Sequence, residues 1–397
     1  MRIAIVYVGS STDTKGLVNF VCEESRQLKK RESEAMKSET FMIRIHFSIL
    51  LAWLLKLFKG ENYEPPNDYL LESFEKNGVR FNNIWIQRGV FTFFYLTRIA
   101  HRPFSNSELE IIKRRLTGYD YIIAHTAGSH YAAYRLHQDK GTLYGAFWHG
   151  SELNVDAFST KEATRLAKEI MEAAHDNFYV SQALKVTSTK ITDKARKKVI
   201  YTGPSDSFRL YSPEKKSELR TKFGVAPGTV VIGYAGNLIP LKNVMALPAI
   251  FKRTQELSPG KNLVFWIIGN GEQEEGLRKE LEARGIDYVM HGKVQPASMP
   301  DYMNCMDVLL LISKAEGLGL VGLEALRCGA KAFGSMVGGI PEAIGKENCV
   351  ELNDQFVEGM AQKLSAYIKN PVTPTYDKIF SWDSAIDGII ASVCEKD

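Results

Sequence analysis

The chain lacks any C-x-x-C pair, and its five cysteines, Cys22, Cys305, Cys328, Cys349 and Cys394, are odd in number and scattered over 397 residues. That argues against a disulfide framework and against a structural zinc site, and it fits a reducing cytoplasm. A long hydrophobic run is also missing. The apolar stretch FSILLAWLL, Phe47 to Leu55, is about half the ~20 residues that a helix needs to cross a bilayer, so it is no ordinary membrane span. Charge of one sign is not in excess either: a net charge of +4, from 50 basic and 46 acidic side chains, is too small to mark a nucleic-acid binder. No nucleic-acid partner is expected. The opening MRIAIVYVGSS carries a short alternating apolar run that ends in a glycine, which reads as the first strand of a sheet rather than as a secretory leader.

What is present is an ordinary globular composition, 45% hydrophobic and 24% charged, in a chain long enough for two or three domains. From Thr229 onward VVIGYAG, LVFWIIG, DVLLLIS and AKAFG are short, nearly continuous apolar runs. Each is followed by a helix-compatible segment, the pattern of parallel strands buried on both faces. The N-terminal half repeats the theme with IAIVYV, a helix from about Leu17 to Lys30, YDYIIAH and TLYGAFWH. The expectation is an α/β chain of two doubly wound, Rossmann-like domains: residues 1–203, residues 204–375, and a final helix over 376–397 that crosses back to the first domain. The linker is placed in TGPSDSFRLYSPEKK, Thr202 to Lys216, because that stretch is rich in turn formers and has no period.

Ligands of doubly wound sheets bind outside the carboxyl ends of the strands. There the chain carries EGLGLVGLEAL, Glu316 to Leu326. It sets two carboxylates eight positions apart around a glycine-rich helix entry. A helix start offers open backbone N–H groups and about half a unit of positive charge, and Gly317 and Gly319 let a diphosphate approach closely. Glu316 before the helix and Glu324 inside it are acceptors for hydroxyl groups, one for a sugar and one for a ribose diol. The arrangement suits a nucleotide sugar. Lys242 at a helix start is out of place electrostatically unless an anion lies beside it. The glycines Gly269 and Gly271 in WIIGNG are by themselves no more than a strand-to-helix turn.

Together with AGNLIPLKN, HGKV, YMNCMDVLLLIS and GGIPEAI, and in that order, these segments resemble glycosyltransferase family 4, the retaining nucleotide-sugar-dependent enzymes of the GT-B fold. The resemblance covers nearly the whole chain and is strongest in its last 170 residues. It implies donor-binding roles for Gly16, Asn237, Lys242, Gly269, Gly317, Leu318, Gly319 and Glu324, and catalytic roles for Glu316, His149 and Lys242. Asn237 stands where the family usually has an arginine, which shifts phosphate neutralisation onto Lys242 and the helix terminus. His149, in WHGSELN, is the residue that faces the reacting sugar from the opposite domain, and His125, in YIIAHTAGSH, is a second candidate. The loop GSSTDTKG, with Gly16 at the next helix start, is the looser match to the family's loop below the diphosphate.

The resemblance implies transfer of a sugar from a nucleoside diphosphate sugar, UDP- or GDP-linked, to an acceptor hydroxyl with the anomeric configuration retained. No metal or other cofactor is implied. Attack comes from the front face, in a cleft between the halves, with the departing phosphate taking the acceptor proton. The acceptor is a glycan or a lipid-linked glycan, in the setting of polysaccharide or glycolipid assembly. The segment Lys29–Lys59 has two readings: a strand and a helix buried in the core, or an interfacial helix whose Trp53, Leu54, Leu57, Phe58, Lys56 and Lys59 rest on the inner membrane surface. The aromatic run FTFFYL, Phe91 to Leu96, belongs either to that surface or to the core. Two other functions fit the same nucleotide site, a nucleotide-sugar epimerase and a noncatalytic nucleotide-sugar or lipid-binding protein.

Overall fold

The computed structural model describes residues 1–10, 16–59, 71–96 and 102–395. The middle of the GSSTDTKG loop, residues 11–15, lies outside the described residues, as do the side chains of Lys56, Phe58 and Lys59. The chain divides into two compact units. One holds Met1–Val180, Leu184–Ile200 and Ala385–Asp397, and the other holds Ser181–Ala183 and Tyr201–Ser384.

The first unit is built on eight strands: β1 Arg2–Val8, β2 Lys37–Phe47, β3 Ser73–Lys76, β4 Val79–Arg88, β5 Tyr121–Ala124, β6 Leu143–Trp148, β7 Asp176–Tyr179 and β8 Lys197–Val199. Their order is β3-β4-β2-β1-β5-β6-β7-β8. All neighbours are parallel except β3, which pairs antiparallel with β4 through an Asn77–Gly78 turn whose φ values are 49° and 73°. Such a turn has the handedness of a type I′ hairpin, and Asn-Gly is the pair that adopts it without strain. Strand order reverses between β1 and β5, so the crevice for a ligand lies at their carboxyl ends. Ile3, Ile5, Ile122, Ile123 and Phe147 are fully buried along the central strands, and each such aliphatic or aromatic side chain contributes roughly 1.5–3 kcal/mol by leaving water.

Helix starts in this unit are written locally. Ser105 accepts from the Glu108 N–H while Glu108 reaches back to the Ser105 N–H, opening the helix Asn106–Leu116. Thr126 accepts from Ser129 at the start of Ala127–Lys140, and that helix ends at Gly141 with φ 70°. Each cap satisfies amides that the helix leaves unpaired. The last helix, Trp382–Cys394, contributes Ser392, whose Oγ donates to the fully buried Asp176 Oδ2 at 2.9 Å.

The segment between Lys29 and Lys59 forms β2 and a helix, Ile49–Lys59. The strand is core, but the helix is not fully so. Leu51 is fully buried, whereas Leu50, Trp53 and Leu57 are 59%, 56% and 58% exposed. On the short helix Val90–Phe94, Phe91 is 92% exposed, and Leu96 just beyond is buried.

The second unit has six parallel strands, β9 Val230–Ala235, β10 Leu263–Ile268, β11 Tyr288–Gly292, β12 Val308–Leu311, β13 Lys331–Ser335 and β14 Cys349–Val350, in the order β11-β10-β9-β12-β13-β14. Here the order reverses between β9 and β12. The core runs through Ile232, Phe265, Ile267, Leu310, Phe251 and Leu364. One sequence expectation needs correction: Thr202–Lys216 is not all linker, because Ser212 accepts from the Lys215 N–H and opens a helix, Pro213–Lys222, with proline in its first turn. Proline there uses a position whose N–H would be unpaired anyway, so its turn-forming look misleads.

Candidate functional site

In the second unit the loops that follow β9, β10 and β12 are tied by their backbones. Gly236 N–H donates to Ile268 O at 2.9 Å, Leu238 N–H to Asn270 O at 2.9 Å, and Lys314 N–H to Leu241 O at 2.8 Å. Gly269 has φ +129°, and a Cβ there would come within 1.9 Å of Gly236 O. A Cβ on Gly271 would meet Leu238 O at 2.3 Å. Both glycines are required by close backbone approach rather than by turn preference alone.

Those loops bring Lys242 and Glu316 together. Lys242 Nζ donates to Glu316 Oε2 at 2.6 Å, and Ser313 Oγ donates to the same oxygen at 3.2 Å. Both side chains of the ion pair keep about a quarter of their surface or less in solvent, 24% for Lys242 and 20% for Glu316. The pair stands where β9 and β12 end, at the reversal of strand order. Directly after Glu316 the chain turns through Gly319, φ +86°, into the helix Leu320–Arg327. No side chain among the described residues caps that start. Among the described residues no protein acceptor takes the N–H groups of Gly317, Leu318, Gly319 or Leu320. The turn is held from behind by the loop before the helix Ile340–Ile344: a Cβ on Gly338 would meet Glu316 O at 2.1 Å, and one on Gly339 would meet Gly317 O at 2.2 Å. A cation, a carboxylate and a row of open amides therefore share one edge, the makings of a site for an anion joined to a polyol.

Glu324 lies half-buried on the helix Leu320–Arg327, and burial pushes its carboxyl up to about 8. Among the described residues nothing donates a hydrogen bond to it or pairs with it. Asn237 is exposed, and its carbonyl accepts from the Tyr234 hydroxyl at 2.9 Å. Leu318 is buried, so what it offers a ligand is its backbone.

In the first unit Gly16 opens the helix Gly16–Lys30, and among the described residues a Cβ on it would meet nothing within 4 Å. His149 follows β6 and His125 follows β5, and their rings meet: His125 Nδ1 is 3.0 Å from His149 Nε2. Burial, His125 and His130 together hold the His149 imidazole well below its ordinary range, so that ring is neutral at physiological pH. His130 is structural. One of its ring nitrogens bridges Ala124 O and Phe147 O at 3.0 and 3.1 Å, tying β5 to β6, and burial lowers it to about 3.

Sequence reasoning missed two contributors. Ser313 bonds Glu316 from the end of β12, and a serine in LLLIS carries no signal of its own. Glu24, in CEES, lies 2.7 Å from His125 Nε2 and is fully buried. A glutamate on the apolar face of a helix is the sign that would have found it.

Residues 229–370 match the family model described as glycosyl transferases group 1. The fold is of the GT-B class, and residues 229–370 are similar to the glycosyl transferases of group 1. Among curated relatives, the D-inositol 3-phosphate glycosyltransferase of Segniliparus rotundus is 26% identical over 208 residues, 49% of this chain and 46% of that protein. The 2-deoxystreptamine N-acetyl-D-glucosaminyltransferase of Streptomyces fradiae is 31% identical over 155 residues, 38% and 37% of the two chains. The putative teichuronic acid biosynthesis glycosyltransferase TuaC of Bacillus subtilis is 25% identical over 268 residues, 67% and 66%. The chain thus spans about half the length of the curated relatives it matches. Among solved structures, sucrose-phosphate synthase from Thermosynechococcus elongatus superposes with a TM-score of 0.72 at 16% identity, covering 98% of this chain and 97% of that one. Anabaena HepE in complex with UDP and glucose superposes with a TM-score of 0.68 at 16% identity, covering 98% and 95%. Both share the fold.

Proposed function

We propose that the chain is a retaining glycosyltransferase of family 4 that moves a sugar from a nucleoside diphosphate sugar to an acceptor hydroxyl. The observation that carries this reading is the Lys242–Glu316 pair, 2.6 Å apart beside the open amides of Gly317 to Leu320. Lys242 and those amides hold the diphosphate. Glu316 accepts from hydroxyls of the transferred sugar, and Glu324, once ionised, accepts from the ribose diol. Gly16, Asn237 and Gly269 complete the donor site, and His149 is assigned to the transferred sugar. The complex of HepE with UDP supports a uridine donor over a guanosine one.

In the reaction the bond between the anomeric carbon and the diphosphate oxygen breaks, and the bond to the acceptor oxygen forms on the same face. The acceptor's proton passes to the departing phosphate oxygen. The protein's contribution is position and charge: Lys242 and the amides stabilise the growing negative charge on the diphosphate, while Glu316 keeps the ring oriented as positive charge develops on it.

The acceptor is read as a glycan or lipid-linked glycan at the cytoplasmic face of the membrane, in polysaccharide or glycolipid assembly. The relative named for teichuronic acid biosynthesis supports that setting. So do Leu50, Trp53, Leu57, Phe91 and Tyr95, each more than half exposed on two helices of the first unit. Aromatic and leucine side chains displayed in this way suit an interface between water and lipid. No helix among the described residues is long and apolar enough to cross a membrane.

A screen of UDP-, GDP- and ADP-sugars, read by thermal shift and product analysis without added metal, tests the reading. Free nucleoside diphosphate plus a glycoside of retained configuration, lost in Glu316→Ala, is the expected result. An altered donor with no transfer identifies an epimerase, and stabilisation without turnover identifies a binding protein; either overturns the proposal.

A further inference from the structure

Glu24, His125 and His149 form a chain across three elements of the first unit. Glu24 comes from the helix Gly16–Lys30, His125 from the end of β5 and His149 from the end of β6. Glu24 Oε2 lies 2.7 Å from His125 Nε2, and His125 Nδ1 lies 3.0 Å from His149 Nε2. Both Glu24 and His125 have no exposed surface.

Among the described residues Glu24 has no other source of compensation. Its sequence neighbour Glu23 takes the local donors, Arg26 and, at 2.7 Å, Gln27. Neither Glu24 oxygen makes an aligned hydrogen bond among the described residues, so the contact with His125 is an ion-pair approach. The surroundings are aromatic: the Phe147 ring stacks 5.4 Å from His125 and 4.9 Å from His149, and Phe20 meets His149 edge-on at 4.6 Å. A lone carboxylate is too costly in such a place, and the compensation within reach is an ion pair of no net charge, the Glu24 carboxylate against a His125 ring that carries a proton on each nitrogen. In that state the proton on His125 Nε2 faces Glu24. His125 Nδ1 then bears the ring's other proton and donates it to His149 Nε2. His149 must carry its own proton on Nδ1.

We infer that Glu24 and His125 are positioning residues that lock His149 as the neutral Nδ1–H tautomer, so that it presents a hydrogen-bond donor to an oxygen of the transferred sugar. The inference rests on the proposed glycosyl transfer for the ligand, though the lock itself does not. The logic is that of an acid that orients a histidine through its far nitrogen, extended here by one more ring. A packing role for Glu24 would be met equally by glutamine, which has nearly the same shape but cannot form the charged pair.

The test uses the full chain with ¹⁵N-labelled histidine, His149 being assigned through His149→Asn. In the wild type the His149 Nδ1 signal is expected to be that of a protonated nitrogen and its Nε2 signal that of a lone-pair nitrogen. In Glu24→Gln the two signals should move together toward a mixture of tautomers. Turnover of donor and acceptor should fall about 10- to 100-fold with the donor KM within about twofold, as for loss of an orienting partner. Should Glu24→Gln fail to fold by thermal melt, His125→Gln gives the same two readouts. A wild-type His149 protonated on Nε2, or a tautomer unchanged in both variants, overturns the inference. A protein that transfers no sugar but shows the expected tautomer shift overturns the functional reading and keeps the lock. Transfer that continues unchanged in Glu24→Gln overturns the positioning role and leaves the functional reading intact.

Discussion

Lys242 and Glu316 neutralise each other across 2.6 Å, although they are 74 residues apart in the chain. A diphosphate that binds Lys242 must therefore compete with a carboxylate. Glu316→Gln frees the lysine and removes a negative charge from the phosphate's neighbourhood. We expect it to bind UDP more tightly, by up to about tenfold, while glycosyl transfer falls by about 100-fold or more. Lys242→Met should weaken UDP about 10- to 100-fold, the loss of one charge-assisted bond. Calorimetric titration with UDP and a radiolabelled transfer assay separate the two variants, and equal loss of UDP binding in both would contradict the competition.

Asn237 is exposed and carries no charge. Asn237→Arg places a second cation at the position where the family resemblance expects one, and UDP affinity should rise about 2- to 10-fold, more at low salt than at high. Affinity that is unchanged across salt concentrations would mean that Asn237 lies away from the phosphates.

The Glu324 carboxyl is pushed up to about 8 by burial. The sign follows from its neutral form being favoured in the folded state. Its contribution to stability is fully present below the unfolded glutamate range and is lost as pH rises through about 8. Part of the side chain remains accessible, so the direction rather than the size is what the measurement reads. Thermal melts from pH 5 to 9, in about unit steps, should show a decline that is shallower in Glu324→Gln. On the proposed reading the two ribose hydroxyls are best met by the ionised carboxylate, so binding of UDP at pH 7 should release a proton in the wild type and none in the variant, measurable by titration in buffers of different ionisation heat.

Gly269 leaves no room for a side chain, since a Cβ would lie 1.9 Å from Gly236 O at a backbone φ of +129°. Gly269→Ala must push apart the loops after β9 and β10. A loss of about 2–4 kcal/mol in unfolding free energy is expected, together with weaker UDP binding. Denaturant titration checks it, and a variant within about 0.5 kcal/mol of wild type would refute the close approach.

Trp53 and Phe91 are 56% and 92% exposed. Phe91→Ser should leave the melting temperature nearly unchanged, because little of its area is buried, whereas Trp53→Ser should lower it modestly, since nearly half of that side chain is covered; the two together should lower co-sedimentation with vesicles containing anionic lipid. Unaltered sedimentation would separate these side chains from any membrane role.

Much of the fold was legible along the chain. The runs IAIVYV, VVIGYAG, LVFWIIG and DVLLLIS became central parallel strands because continuous apolar character is what burial on two faces demands. The Asn77–Gly78 hairpin carried an equally local signal that the reading of strands and helices passed over. The helix Pro213–Lys222 was hidden because serine and proline look the same in a loop and at a helix start. Which motifs fall at strand ends was visible too, and with it the nomination of Glu316, Lys242, His125 and His149.

Composition, periodicity and the order of the motifs were enough to specify two doubly wound sheets and to bring the candidate site residues to their carboxyl edges, because strand burial and helix starts are local matters of residue type and spacing. Contacts were decided only in three dimensions. That Lys242 answers Glu316, that Ser313 shares the same oxygen, and that a buried Glu24 stands behind two histidines depends on which strands become neighbours and how their loops interlock. Those are long-range choices, made by packing the apolar faces together, and no short stretch of sequence contains both partners.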